Sequence, residues 1–222
     1  MKNILSLKMF AIFLGGYSSG LPLLIIGSTL QAWMVDEGVD LSSIGLFSLV
    51  GLPYVAKFLW APLLDRYKLP FSSRRKGWIY FFQLLLTLAI FALSMIEPQS
   101  QLHLLALISF GISFLSASQD IVLDAYRREI LTDDELGLGS SLFITGYRLA
   151  MLVSGAFALF MADSLEWKEV YQILALLMLL AMLFTFISPA EQGESTSPSS
   201  LKEAVLGPLQ DFFARKEAWT IL

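Results

Sequence analysis

Six long apolar stretches dominate this chain, at about 9–33, 42–64, 78–96, 103–127, 138–162 and 169–188. Each is long enough to cross a hydrocarbon core as a helix, which takes roughly 20 residues. Of the 222 residues, 56% are hydrophobic and only 15% charged, too little polar surface for a soluble domain of this length. In lipid the backbone must satisfy its own N–H and C=O groups, which favours helices. The expectation is therefore an all-α integral membrane protein with six transmembrane helices. Lys2 and Lys8 precede the first stretch as they would a signal peptide. Its length, and the lack of an A-x-A cleavage site, point instead to a retained span.

The basic residues orient the bundle. Lys2, Lys8, Arg66, Lys68, Arg74, Arg75, Lys76, Arg127, Arg128, Lys202, Arg215 and Lys216 all fall on one side of this arrangement. Lys168 alone falls on the other, and Lys57 and Arg148 lie within spans. Positive-inside bias puts the N-terminus in the cytoplasm. The outer loops carry Asp36, Glu37, Asp40, Glu97, Asp163 and Glu166.

Several chemistries are excluded early. With 0 cysteines there is no disulfide framework and no thiolate. The lone His103, at an outer helix start, is an interfacial residue and removes most histidine-based catalysis and zinc binding. No cofactor, no metal and no nucleic acid partner is expected, and the chain does not read as an enzyme.

The spans are of two kinds. The third, "IYFFQLLLTLAIFALSM", and the sixth, "YQILALLMLLAMLFTFI", are nearly uniform and suited to face lipid. Spans one, two, four and five hold the Gly, Ser, Pro and charged residues, so they should face protein or a wet cavity. The order polar, polar, apolar occurs twice with opposite membrane direction, a pattern that two inverted three-helix repeats of a transporter would give. Six-helix channels would give it too. Trp33, Trp60, Trp78, Trp167 and Trp219 fall at span ends, as an aromatic belt would.

In "SASQDIVLDAYRREIL" two carboxylates interrupt the fourth span. Ser109, Ser113, Ser116, Asp120, Asp124 and Arg127 recur every three or four residues, forming one polar stripe. Asp120 lies in the cytoplasmic half of the span and Asp124 near its inner edge. Tyr54 and Lys57 share a face of span two, and Arg148 falls near the middle of span five beside Tyr147. A charge at the bilayer centre costs at least about 2.5–3.5 kcal/mol. Acids and bases at similar depth point to mutual pairing. Two readings stay open: a structural salt bridge that fixes helix register, or a site for substrate or protons. Asp120 and Asp124 are the proton candidates, Asp124 also the natural pair of Arg127. In span one, Gly16, Gly20 and Pro22 fit either close helix packing with a kink or a hinge lining a cavity.

After the sixth span, "PAEQGESTSPSS" reads as a polar linker. Ser200 and Glu203 resemble a capping box, and Leu201, Val205 and Leu209 recur at helical spacing. The expected organisation is a bundle over 1–188, a cytoplasmic linker with an amphipathic helix over 189–217, and the start of a seventh span over 218–222.

The strings "SGLPLLIIGSTLQAW", "IGLFSLVGLPYVAKFLWAPLLDRY", "SASQDIVLDAYRREIL" and "GYRLAMLVSGAFAL" closely resemble the AmpG family of anhydromuropeptide permeases, within the major facilitator superfamily. The resemblance runs from span one into "LKEAVLGPLQDFFARKEAW". It implies the N-terminal half of a major facilitator fold, with a missing C-terminal half as partner. It also implies proton-driven import of N-acetylglucosaminyl-1,6-anhydro-N-acetylmuramyl peptides across the bacterial inner membrane for peptidoglycan recycling. The loop "APLLDRYKLPFSSRRKGW" is similar to the superfamily signature between spans two and three. That similarity implies a cytoplasmic gate role for Asp65 and Arg66 with Arg74, Arg75 and Lys76. Ala61 stands where the signature has glycine, and residues 67–73 widen the gap between its two parts.

Such a glycopeptide needs hydrogen-bonding groups along a wide cavity and a cation for its carboxylates. Ser19, Gln31, Tyr54, Gln119 and Tyr147 supply the former, Lys57 and Arg148 the latter. Arg148 is the better anchor because a guanidinium grips a carboxylate through two parallel bonds. Competing readings are an acetyl-CoA or other organic-anion transporter, and a six-span sensor or assembly subunit that moves nothing.

Overall fold

The computed structural model describes residues 6–70 and 73–190. Of ten α-helices among the described residues, nine build six segments long and apolar enough to cross a membrane, and these residues contain no strand. Span one is α1 (Leu7–Ile25) and α2 (Ser28–Asp36); span two is α3 (Leu41–Leu46), α4 (Leu52–Ala56) and the 3-10 turns around them. A short α5 (Ala61–Arg66) follows. Spans three and four are α6 (Arg74–Leu93) and α7 (Leu102–Ile130). Span five is α8 (Leu136–Leu152), a π-turn over Val153–Phe157 and α9 (Ala158–Ala162), and span six is α10 (Trp167–Ile187). This is a multi-pass helical membrane protein. The expected linker and amphipathic helix, the start of a seventh span and Trp219 lie outside the described residues, apart from Pro189 and Ala190.

The ends of the helices follow from their sequence. The Ser6 hydroxyl accepts the Met9 N–H at the start of α1, and the Asp40 carboxylate accepts the Ser43 N–H at the start of α3. These contacts, the Ser42 and Ser43 donors foremost, hold the Asp40 carboxyl well below the usual carboxylate range. Gly38, at φ 73°, stops α2: its N–H reaches the Val35 carbonyl and that of Val39 the Met34 carbonyl. Such a terminus needs the left-handed conformation that glycine adopts without strain. Glu166 and Glu169 form a reciprocal capping box on α10.

Span one is the hub, packed on α8, α10 and α7. Its crossing with α8 is close because three glycines face backbone. A Cβ at Gly16 or Gly20 would run into the Phe143 or Tyr147 carbonyl, and one at Gly146 into the Phe13 carbonyl. Gly16 and Gly20 thus serve helix packing. The helix runs through Pro22 and breaks only at Ile26–Gly27.

Spans three and six pack against each other rather than only facing lipid. Their uniform apolarity hides a polar link: the Thr185 hydroxyl donates to the Gln83 side-chain oxygen at 3.0 Å, and Gln83 is buried. Span two, expected to be sheltered, is instead the least buried. The aromatic belt also needs correction. Trp33 and Trp167 are buried, their rings stacked 6.2 Å apart, and Trp167 donates to Asp36 at 2.9 Å. They join the adjacent ends of spans one and six, since an indole satisfies its N–H on a carboxylate as well as on lipid headgroups.

Two apolar clusters fill the bundle. One includes Leu21, Leu30, Leu86, Ile112 and Met178; the other includes Met9, Ile12, Ile79, Val122 and Phe143. Along the chain, Ser18, Ser19, Gln83, Gln119 and Asp120 fall between the residues of the two clusters. This polar layer at mid-bundle positions the site.

Candidate functional site

Asp120 occupies the polar layer on α7 and is half-buried. The Ser19 hydroxyl of span one donates to its carboxylate. Beside that contact, Gln119 donates its amide to the Ser18 hydroxyl at 3.3 Å, which in turn donates to the Gly15 carbonyl at 3.0 Å. Spans one and four are therefore joined twice at one level. Lys57, in the 3-10 turn Lys57–Leu59, is the cation facing Asp120, with Asp124 on the same helix. Tyr54 and Tyr147 face the carboxylate from spans two and five.

The expected charge pairing is not found. Among the described residues neither Lys57 nor Arg148 forms an ion pair, and Arg148 is exposed on span five rather than turned to Asp120. One helical residue is about 100° of rotation, so Tyr147 takes the inward position and Arg148 the outward one. Asp124 does pair with Arg127, at 3.0 Å, and the Arg127 guanidinium lies 4.7 Å from the Phe143 ring centroid. Gln119 departs from its expected role as a lining residue, because it is fully buried in the α1–α7 contact. Ser19 is buried likewise and engaged with Asp120. Gln31 and Tyr54 do line open space, a cavity of about 140 Å³ between spans one and two that Ser48 and Gly51 also border.

Several buried polar atoms in this region have no protein partner: the hydroxyls of Tyr54, Ser109, Ser113 and Ser116 and the side-chain oxygen of Gln119. An unmet buried polar atom costs about 1–3 kcal/mol. Inside lipid such atoms call for water or a further chain to satisfy them.

A second cluster joins α5 to the adjacent ends of spans three and four. The Arg75 guanidinium meets Asp65 at 2.7 Å and Glu129 at 2.8 Å, and Arg74 meets Glu129 at 3.2 Å and the Asp65 carbonyl at 3.3 Å. Arg66 lies against the Tyr67 ring. Lys76 donates to the Ser188 carbonyl at 2.6 Å, capping the end of span six. The structure thus joins Asp65, Arg74 and Arg75, and adds Glu129, which sequence reasoning missed. Its signal was an acid within "YRREIL", at the depth of the basic loop. Trp60 was likewise read only as a belt residue; its indole donates to the Ser118 hydroxyl at 2.9 Å.

A helical bundle with a carboxylate in its polar layer, a lysine facing it, and an ionic latch at one end has the architecture of a membrane transporter. The chain belongs to the Major Facilitator Superfamily, whose family model matches residues 8–222. As a member of that superfamily it is not an enzyme. Among curated proteins it is 48% identical over 208 residues to the anhydromuropeptide permease of Escherichia coli K12, covering 93% of this chain and 42% of that protein. The permease of the same name from Escherichia coli O157:H7 matches to the same extent. A Haemophilus influenzae protein whose name states no function is 41% identical over 216 residues, 96% of this chain and 51% of that protein. The chain spans about half the length of these curated relatives.

Proposed function

We propose that the chain forms one half of a proton-coupled importer of anhydromuropeptides in the bacterial inner membrane, serving peptidoglycan recycling. The observation that carries the coupling is Asp120: a carboxylate in mid-bundle, bonded to Ser19 and facing Lys57 without an ion pair. The substrate class follows the name of the Escherichia coli relative. The half itself is built as two inverted three-span repeats, with its N-terminus in the cytoplasm on positive-inside grounds.

In this cycle Asp120 takes a proton from the outer side. Protonation removes the negative charge that attracts Lys57 of span two and alters the bond from Ser19 of span one. Both elements are then released to rearrange. Asp124, more exposed and nearer the inner end, passes the proton to the cytoplasm. Arg148, projecting from the outer surface of span five, meets a carboxylate of the glycopeptide, while Gln31, Tyr54 and Tyr147 hydrogen-bond its polar groups. Ser19 and Gln119 hold the helix contact rather than the substrate. The Asp65–Arg75–Glu129 latch keeps the cytoplasmic ends of spans two, three and four together until inward opening. The second half of the permease completes the cavity.

Uptake of radiolabelled anhydromuropeptide into vesicles carrying the permease tests this reading. It should rise with an inward proton gradient, collapse with a protonophore, and be displaced by unlabelled anhydromuropeptide but not by acetyl-CoA. Uptake indifferent to the gradient would contradict proton coupling, and displacement by acetyl-CoA alone would contradict the substrate.

A further inference from the structure

Hydroxyls in these spans commonly bond back to their own helix. Ser118 donates to the Phe114 carbonyl at 2.7 Å, Thr87 to Gln83 at 2.8 Å, and Thr145 to Ser141 at 2.8 Å. Three serines on one face of α7 do otherwise. Ser109, Ser113 and Ser116 are completely buried, and none of their hydroxyls meets a protein partner. Their spacing continues the stripe to Asp120, which lies about 16 Å along the helix from Ser109. At that end the Tyr54 hydroxyl lies against Ser116 and faces Asp120. Inside a membrane such groups must be satisfied, and a row of hydroxyls offers water the polar partners that it needs.

We propose that Ser109, Ser113 and Ser116 line a file of water that delivers protons from the outer end of the bundle to Asp120. This rests on the proton-coupled reading above. Each serine is about one helical turn, roughly 5–6 Å, from the next, too far for direct transfer and suited to one intervening water. A hydronium passes a proton to the next oxygen, which releases one of its own further along. The last transfer forms an O–H bond on the Asp120 carboxylate and cancels its charge. Every serine oxygen gains and loses one proton, so no oxidant or reductant is involved.

The groups facing Asp120 are Lys57 and Tyr54 from span two, Tyr147 from span five, Ser19 from span one, and Asp124 on its own helix. The charges of α6, Arg74, Arg75 and Lys76, are engaged at the other end with Asp65, Glu129 and the Ser188 carbonyl. On α7 between Leu102 and Asp120 the sole titratable residue is His103, at the mouth. Nothing charged interrupts the serine row on that helix.

The test compares Ser113→Thr with Ser113→Val in the full permease in proteoliposomes. The two replacements have nearly the same shape, and only threonine keeps the hydroxyl. The valine variant should lose at least about tenfold in gradient-driven uptake, while the threonine variant stays within about twofold of wild type. Counterflow of substrate, which needs no net proton movement, should be alike in both. Equal gradient-driven rates in the pair would overturn the route. If neither inserts, Ser109→Ala and Ser116→Ala remove the hydroxyl without added bulk; the same loss supports the file and wild-type rates overturn it. A wild type without gradient dependence would overturn the symport reading itself, a separate failure.

Discussion

Ser19 and Asp120 are bonded side chain to side chain across 101 residues of sequence, joining the first and fourth spans in the middle of the bundle. A carboxylate there is costly in lipid, and Lys57, the cation acting on it, forms no ion pair with it. The carboxylate is restrained by a hydroxyl, and on the proposed reading it exchanges a proton. That arrangement suits a carrier better than a static brace.

The ionic latch depends on Arg75, which is 5% exposed and serves two carboxylates. Arg75→Ala leaves Asp65 and Glu129 without their shared cation and should destabilise the bundle by about 3 kcal/mol. Arg75→Lys should recover only part, because an ammonium cannot reproduce the fork that reaches both acids. Thermal unfolding in detergent measures the difference, and equal stability of the lysine variant and wild type would refute the two-armed role.

The glycine crossing gives a sharper contrast. Gly20→Ala drives a methyl into the Tyr147 carbonyl, so spans one and five must separate, at about 1–3 kcal/mol. Gly111→Ala meets nothing within 4 Å and should be neutral or stabilising by up to about 1 kcal/mol. The same unfolding assay should rank the two variants in that order.

Glu135 provides a pH signature. Its hydrogen bond from the Lys8 ammonium, 2.8 Å long, and then the Thr132 N–H hold its carboxyl at about 2, against an ordinary 4.5. A depressed folded-state value means stabilisation that is present above the ordinary value and fades as pH falls toward the lower one. Glu135→Gln should therefore lose little at pH below about 2 and most at neutral pH, with a flatter acid dependence of melting temperature. The pair is partly exposed, so added salt should shrink the difference.

Orientation is open to direct test because the chain has 0 cysteines. An impermeant thiol reagent on intact cells should label Ser100→Cys, in an outer loop, and spare Thr132→Cys, in an inner one. The reverse pattern would invert the bundle.

Much of this was legible beforehand. Hydropathy located the six spans, and three-to-four spacing located the stripe from Ser109 to Arg127, because both are properties of one helix. What was not legible concerns pairs of helices. Periodicity says that Gln119 and Arg148 lie on some face, not that the first enters the span one contact while the second points outward. Trp33 and Trp167 sit at span ends like belt residues, and only the tertiary packing turns them onto each other. Glu129 could not be matched to Arg75 from sequence, since their bond spans 54 positions. The π-turn at Val153–Phe157 was also hidden; the Thr29 hydroxyl from span one donates to its Ser154 carbonyl at 2.5 Å.

The most direct measurement of the account is transport by Asp120→Asn in the full permease. Asparagine keeps the size of the side chain and an oxygen for Ser19, but it cannot take up and release a proton. Gradient-driven accumulation of labelled anhydromuropeptide should fall to the passive rate, while counterflow exchange continues. Accumulation against a gradient with the pH dependence of wild type would contradict the central claim and leave Asp120 a structural residue.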